Sequence, residues 1–167
     1  MGRDALHDLT TMSATTALGN NAGGDVTTGT QNVFLGYYAS VGHISGANSN
    51  VLYIARNDSG AGSGFTSCCA FGNSALKQNT ADGNSAFGFL ALGANTSGSS
   101  NSAFGSQALD ANTTAIDNTG LGYFTLTSNT TGTDNTAAGK GALGSNTTAN
   151  NNTAVGANAL AVNTPGS

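Results

Sequence analysis

Residues 84–151 read NSAFGFLALGANTSGSS (84–100), NSAFGSQALDANTTAID (101–117), NTGLGYFTLTSNTTGTD (118–134) and NTAAGKGALGSNTTANN (135–151), and NTAVGANALAVNTPGS (152–167) follows. The leading Asn returns at 84, 101, 118, 135 and 152, so one seventeen-residue period is held four times running. The unit is N-[ST]-[AG]-[FVLA]-G-x-x-[AT]-L-x-x-N-T with a polar tail of about four residues, and a fixed period of this length is the mark of a stacked repeat.

Working upstream, the unit persists with some wear. CCAFGNSALKQNTADG starts at Cys68 and is one residue short, NVLYIARND starts at Asn50 and lacks the glycine, NVFLGYYAS starts at Asn32, and TTALGNNAG starts at Thr15. Coil starts therefore fall near 15, 32, 50, 68, 84, 101, 118, 135 and 152, about nine coils in an array over 15–167. Residues 1–14 stand outside it as an N-terminal cap or connector. With Asp4 as N-cap and Leu6, Leu9 and Met12 three apart, they suit one short capping helix. The last unit stops at Ser167, one residue short of a period, which fits a piece of a longer array or a unit stacked end to end.

Such a period is too short for two helices, and Gly, Asn and Thr are poor helix formers. It suits one coil of a parallel β-solenoid or β-roll, with one strand from N-[ST]-A-F-G and a second from A-L-x-x-N-T. Gly88, Gly105, Gly122, Gly139 and Gly156 supply a bend between them, and the polar tail supplies the other turn. No coil can bury its apolar residues alone, but stacking builds continuous columns. The core ladder is Phe87, Phe104, Leu121 and Val155 together with Leu92, Leu109, Leu126, Leu143 and Leu160. An Asn ladder of Asn95, Asn112, Asn129, Asn146 and Asn163 bonds side chain to side chain. A coil this thin encloses little, and apolar residues at adjacent strand positions point to opposite faces. One set fills the coil and the other faces out, so several coils side by side, packed as a homotrimer, are the preferred arrangement. A single solenoid stacked end to end competes with it.

Composition narrows the function. Ala, Gly, Thr, Asn and Ser make up 112 of the 167 residues, charged residues are 7%, there is no Glu or Trp, and the net charge is −4. A nucleic-acid binder needs a basic balance, a long helix needs Glu, Lys, Leu and Arg in quantity, and no apolar run approaches the ~18 residues that span a bilayer. MGRDALHDL does not read as a secretory signal, because Asp4, His7 and Asp8 interrupt any apolar core.

The run NTAVGANALAVNTPGS resembles the tandem N-T-A-V-G-x-x-A-L repeats of bacteriophage tail-fibre-like proteins. It is more loosely similar to the head repeats of trimeric autotransporter adhesins. The resemblance covers about residues 15–167, most strongly from Cys68 onward, and departs from the pattern at Asn50 to Asp58. It implies a trimeric parallel β-roll on a virion or in the extracellular space.

Catalytic chemistry has little to work with. His7 and His43 lack a partner at ligand spacing. All eight carboxylates are Asp and are scattered, whereas a glycosidase needs two facing one cleft. Asp117 and Asp134 share a repeat position and would stack one rung apart, which reads as a solvated turn before a Ca²⁺ site. Cys68 and Cys69 replace the leading Asn and the following Ser or Thr, one facing in and one out, and read as free thiols. The Asn-x-Ser/Thr triplets at Asn57, Asn95, Asn112, Asn129, Asn146 and Asn151 follow from the repeat's composition. The variable positions after the glycine hold Tyr37 and Tyr38, Phe89, and Tyr123 and Phe124. Their rings are the candidates for stacking on sugars, with packing against a neighbouring chain as the plainer role.

The expectation is a non-enzymatic structural fibre segment needing no cofactor and no metal. It would be located extracellularly or on a virion, with itself as first partner and a host cell-surface glycan as second, and with no nucleic-acid or membrane role. The alternatives are a self-assembling extracellular filament subunit and a carbohydrate-binding module using the aromatic turn residues.

Overall fold

In the computed structural model the chain is all-β with no helix among the described residues, which are 2–7, 10–24, 28–39, 47–49, 52–54 and 67–163. Among the described residues twelve three-residue strands form two parallel sheets. The smaller sheet holds β1 (Thr11–Ser13), β3 (Thr28–Thr30) and β5 (Ala47–Ser49). The larger has nine strands: β2 (Thr16–Leu18), β4 (Val33–Leu35), β6 (Leu52–Ile54), β7 (Cys69–Phe71), β8 (Ser85–Phe87), β9 (Ser102–Phe104), β10 (Thr119–Leu121), β11 (Thr136–Ala138) and β12 (Thr153–Val155), ordered as they occur in the chain. From β8 onward each strand pairs with the next exactly one period along the chain: Ser85 with Ser102, Ser102 with Thr119, Thr119 with Thr136, and Thr136 with Thr153. The chain is a parallel β-solenoid, and nine strands at ~4.8 Å make a stack about 40 Å high.

Side-chain alternation along each strand decides what is inside. Counting the leading Asn as position 1, positions 1 and 3 point in and positions 2 and 4 point out. Asn84, Asn101, Asn118 and Asn135 are fully buried, as are Ala86, Ala103 and Ala137. The coil interior is completed by Ala91, Ala108 and Ala142 at position 8, by Leu76, Leu92, Leu109, Leu126 and Leu143 at position 9, and by Asn95, Asn112, Asn129 and Asn146 at position 12. The Leu and Asn columns stack as their spacing requires. Phe87, Phe104, Leu121 and Val155 also stack, but outside the coil: exposure runs from 36% at Phe87 to 75% at Val155. They are not core in the single chain, because position 3 points into the coil and the neighbouring position 4 therefore points away from it. Leu160 is half exposed where its column ends.

The glycine at position 5 is required twice over. Gly88 has φ +141°, a region closed to most side chains, and a Cβ there would sit 2.5 Å from the carbonyl oxygen of Gly105 in the next coil. Beyond it the expected second strand does not form. Positions 7 and 9 are left-handed instead: φ is 56° at Leu90 and 52° at Leu92, 57° at Gln107 and 55° at Leu109. These residues still reach the neighbouring coils through the backbone, Leu90 N–H donating to Asn73 O (3.0 Å) and Leu92 N–H to Ala108 O (3.1 Å). The ladder therefore continues without extended geometry. A left-handed Leu costs roughly 1–2 kcal/mol, and fully burying its side chain returns roughly 1.5–3 kcal/mol, so the conformation is held by the core it fills.

Volume is traded between positions. Position 3 is Gly120 in the one coil whose position 8 is Thr125, and a Cβ on Gly120 would lie 3.2 Å from Thr125 Oγ1. Likewise Phe34, fully buried at position 3, is admitted by Gly23 at position 9 of the coil before, where a Cβ would lie 2.8 Å from the ring.

The first residues are part of the stack and not a helical cap. Leu6 N–H donates to Ala22 O (3.0 Å) and Asn21 N–H to Arg3 O (2.9 Å), while Thr11 pairs with Thr28. Asp4 and Leu6 have φ of 56°, the left-handed values of positions 7 and 9. Gly2-Arg3-Asp4-Ala5-Leu6 is thus a G-x-x-A-L segment, one period ahead of Gly19. The start expected at Asn50 is also displaced, since β6 pairs Leu52 with Val33 and with Cys69. Asn50 itself, His43, Asn57 and the end of the last unit lie outside the described residues.

Candidate functional surface

Two columns of asparagine run through the solenoid, and they share acceptors. At position 12 each amide donates to the Oδ1 of the coil before it: Asn95 to Asn79 (2.7 Å), Asn112 to Asn95 (2.8 Å), Asn146 to Asn129 (2.8 Å) and Asn163 to Asn146 (3.0 Å). At position 1, Asn101 donates its backbone N–H to Asn84 Oδ1 (2.9 Å), and Asn118 does the same to Asn101 Oδ1 (3.0 Å). The amides of both columns then meet on one backbone carbonyl per coil. Asn101 and Asn112 both donate to Ala115 O (2.9 and 3.1 Å), and Asn118 and Asn129 both donate to Gly132 O (2.8 Å each). The expected Asn ladder is therefore half of a double ladder. In the sequence the position-1 column reads only as the marker of the period, although its strict recurrence beside an inward Ala is the available signal.

Threonine adds a third column on the outside. Thr80, Thr96, Thr113 and Thr130 each donate a hydroxyl to the carbonyl of the equivalent residue in the next coil, at 2.7, 2.9, 3.2 and 3.1 Å. The Asn side chains tie each coil to the one before and the Thr side chains to the one after.

Cys68 stands in the Asn column where the coil is one residue short. Its thiol donates to Ala81 O (3.3 Å), a carbonyl that also takes the amides of Asn79 (2.7 Å) and Asn84 (3.3 Å). Burial pushes the pKa of this thiol up to about 11. Cys69 points to the other face, half-buried, and both cysteines are free thiols.

The outer face of the large sheet carries the other notable feature. Phe71, Phe87 and Phe104 stack nearly parallel, with centroids 6.1 and 4.7 Å apart. Leu18, Leu35 and Ile54 precede them in the same column, and Leu121, Ala138 and Val155 continue it. Ser or Thr flanks the column at position 2 from β8 onward, and no described strand contains a charged residue.

The aromatic turn residues do not converge on one site. Tyr37 packs on Tyr38 (4.4 Å) and Tyr123 on Phe124 (4.2 Å, edge to face). Phe89 is half exposed two coils before Tyr123, with Ser106 between. Asp117 and Asp134 lie exposed in a left-handed turn column with φ 57° each, and Asp134 accepts the hydroxyl of Thr133 (2.9 Å). Among the described residues no group of three or more His, Cys or Asp is placed to hold a metal ion, and no helix is long and apolar enough to cross a membrane. His7 lines a small notch with Asp4, Asn21 and Gly24, and a shallow groove beside the short coil is lined by Thr80, Asp82, Ser99 and Ser100. Comparisons with family models, with curated proteins and with solved structures return no match for this chain.

Proposed function

We propose that the chain is a non-catalytic segment of a fibre, of the kind the repeat resemblance implies for virion or extracellular surfaces. Its work is to span distance and to present side chains along a rigid stack. The observation that carries this reading is the double Asn ladder. The buried amides are committed to joining one coil to the next, an arrangement that stiffens a rod. The half-exposed rings of Tyr37, Phe89 and Tyr123 are the side chains presented at the turn edge, and sugar faces are the ligands their chemistry suits.

Electron microscopy of the purified chain tests the rod. Straight particles about 40 Å long or multiples of it are expected, and compact round particles would overturn the reading. Release of reducing ends from surface polysaccharide would overturn the non-catalytic part. A glycan array with equal signal for the native chain and for Tyr123→Ala would remove Tyr123 from the contact surface.

A further inference from the structure

We infer that N-glycosylation and folding exclude each other at Asn95, Asn112, Asn129 and Asn146, and that the chain therefore closes its coils without meeting an oligosaccharyltransferase. The inference goes beyond the fibre reading and does not depend on it.

Each of the four residues opens an Asn-Thr-Ser or Asn-Thr-Thr triplet, the acceptor pattern for N-linked glycans. Transfer from a lipid-pyrophosphate-linked oligosaccharide forms a bond from the sugar C1 to Nδ2. It breaks the C1–O bond to pyrophosphate, which leaves with the electron pair, and one amide proton passes to the enzyme's base. Both amide protons are already in use in the solenoid. Asn95 donates to Asn79 Oδ1 and Gly98 O (2.7 and 2.8 Å), and Asn112 to Asn95 Oδ1 and Ala115 O (2.8 and 3.1 Å). Asn129 donates to Asn112 Oδ1 and Gly132 O (3.3 and 2.8 Å), and Asn146 to Asn129 Oδ1 and Ala149 O (2.8 and 3.1 Å). All four are fully buried.

Space excludes the glycan more firmly than bonding does. A Cβ on Gly98 would lie 2.6 Å from Asn95 Oδ1 and 2.9 Å from Asn112 Nδ2, and one on Gly132 would lie 2.5 Å from Asn129 Oδ1 and 3.1 Å from Asn146 Nδ2. An interior without room for a methyl group beside these amides has none for a sugar, a bulky group that belongs at the surface. Asn151 is the contrast. It opens an Asn-Asn-Thr triplet and lies exposed at φ 59°, in the turn column of Asp117 and Asp134, where a glycan can point outward.

The third residue of each ladder triplet, Ser97, Thr114, Thr131 or Thr148, is exposed. Alanine there removes the acceptor pattern and leaves both Asn ladders and the Thr column in place, and Ala81 stands at this point of the short coil. Triplets that disable the fold once modified are thus kept where a mild change would remove them, as suits a chain that folds out of the enzyme's reach.

Two chains test this, both carrying Asn57→Gln: one otherwise native, the other also Ser97→Ala/Thr114→Ala/Thr131→Ala/Thr148→Ala. Made in a bacterial cytosol, both are expected to give the same circular dichroism and melting temperature. Behind a secretory leader in cultured animal cells, the first should carry glycan on the ladder asparagines, read by mass spectrometry after glycosidase release, and be retained. The second should be secreted several-fold better, with its glycan on Asn151 and its spectrum intact. Should the fourfold variant fold poorly, the first chain in cells whose lipid-linked oligosaccharide synthesis is inhibited takes its place. Secretion of the first chain with a ladder glycan and the native spectrum would overturn the exclusion. Its secretion with those asparagines bare would show that the coils close ahead of the enzyme, and would overturn the need to avoid it. Equal retention of both chains would overturn the inference, and a secreted variant without glycan on Asn151 would overturn that assignment. Microscopy of the bacterial protein reports on the rod separately.

Discussion

The side-chain amides of Asn84 and Asn95 donate to the same backbone oxygen, that of Gly98, at 2.8 Å each. One carbonyl therefore closes the coil from two sides, and the same closure recurs at Ala115 and Gly132. A coil of this kind is held by its polar interior as well as by its Leu and Ala.

Asn112 donates to Asn95 Oδ1 and to Ala115 O, and accepts from Asn129 at 3.3 Å. Asn112→Ala orphans a buried oxygen, Asn95 Oδ1, and is expected to cost about 1–3 kcal/mol in chemical denaturation. Asn112→Asp keeps the shape but removes both N–H donors and buries a charge, so it should be worse than Ala at neutral pH. Its deficit should shrink in acid, where the carboxyl is protonated and can donate. An Asp variant as stable as the native chain at pH 7 would contradict the ladder.

Leu109 is fully buried at φ 55°. Leu109→Ala should cost about 2–5 kcal/mol. Gly is the better truncation here, because it alone is at ease in the left-handed region. Leu109→Gly is expected to be no less stable than Leu109→Ala, the reverse of the order in an extended strand. Thermal denaturation of the pair distinguishes the two backbones.

Gly120 and Thr125 share one space. Gly120→Ala alone should overpack it and cost about 1–3 kcal/mol. Adding Thr125→Ala recreates the Ala–Ala pairing of the coils on either side and should recover most of the loss. A double-mutant cycle with no coupling between the sites would show that they do not compete.

Asp110 has its carboxyl pKa raised, by burial first, with the Gln107 side chain pulling the other way. A carboxyl raised in the folded state favours folding fully below its unfolded value, 3.8, and loses that contribution as pH rises through the folded value. Asp110→Asn is therefore expected to raise the melting temperature at neutral pH, with the gain fading as pH falls towards 3.8. A gain that is constant with pH would exclude this cause.

Cys68 is buried with its thiol pKa pushed up to about 11, and Cys69 is half-buried on the opposite face. A thiol reagent at pH 8 should modify Cys69 alone in the folded chain and both after denaturation. Reaction of Cys68 at the same rate as Cys69 would show that the short coil opens.

The period and the stacking of like residues are legible in the sequence, because a constant spacing needs only a count. Which side of the coil each column occupies is not. A run such as Ala86-Phe87 offers an apolar residue to both faces, and only the space left by Leu92 and the two Asn columns decides that Ala86 goes in. The left-handed Leu residues are hidden for a related reason: Ala-Leu beside polar residues reads as a strand, and nothing local announces a positive φ at a residue that disfavours it. Gly2 to Leu6 do not stand out in the sequence because those residues keep only the G-x-x-A-L part of the unit and none of its Asn.

The coil at Cys68 carries a wider lesson. One residue is missing from its tail, yet Asn79 simply turns to the carbonyl two residues on, that of Ala81 at 2.7 Å, where a full coil uses the third, as Asn95 does with Gly98. Small slips in length are thus absorbed at the corner where they occur. Whole units are more freely exchanged, because each layer touches only its immediate neighbours. Duplicating or excising one complete unit shifts the tip of the molecule by a single strand spacing and leaves every surviving contact in place. Reach becomes a quantity a gene can adjust by counting, with no redesign of what lies between the ends.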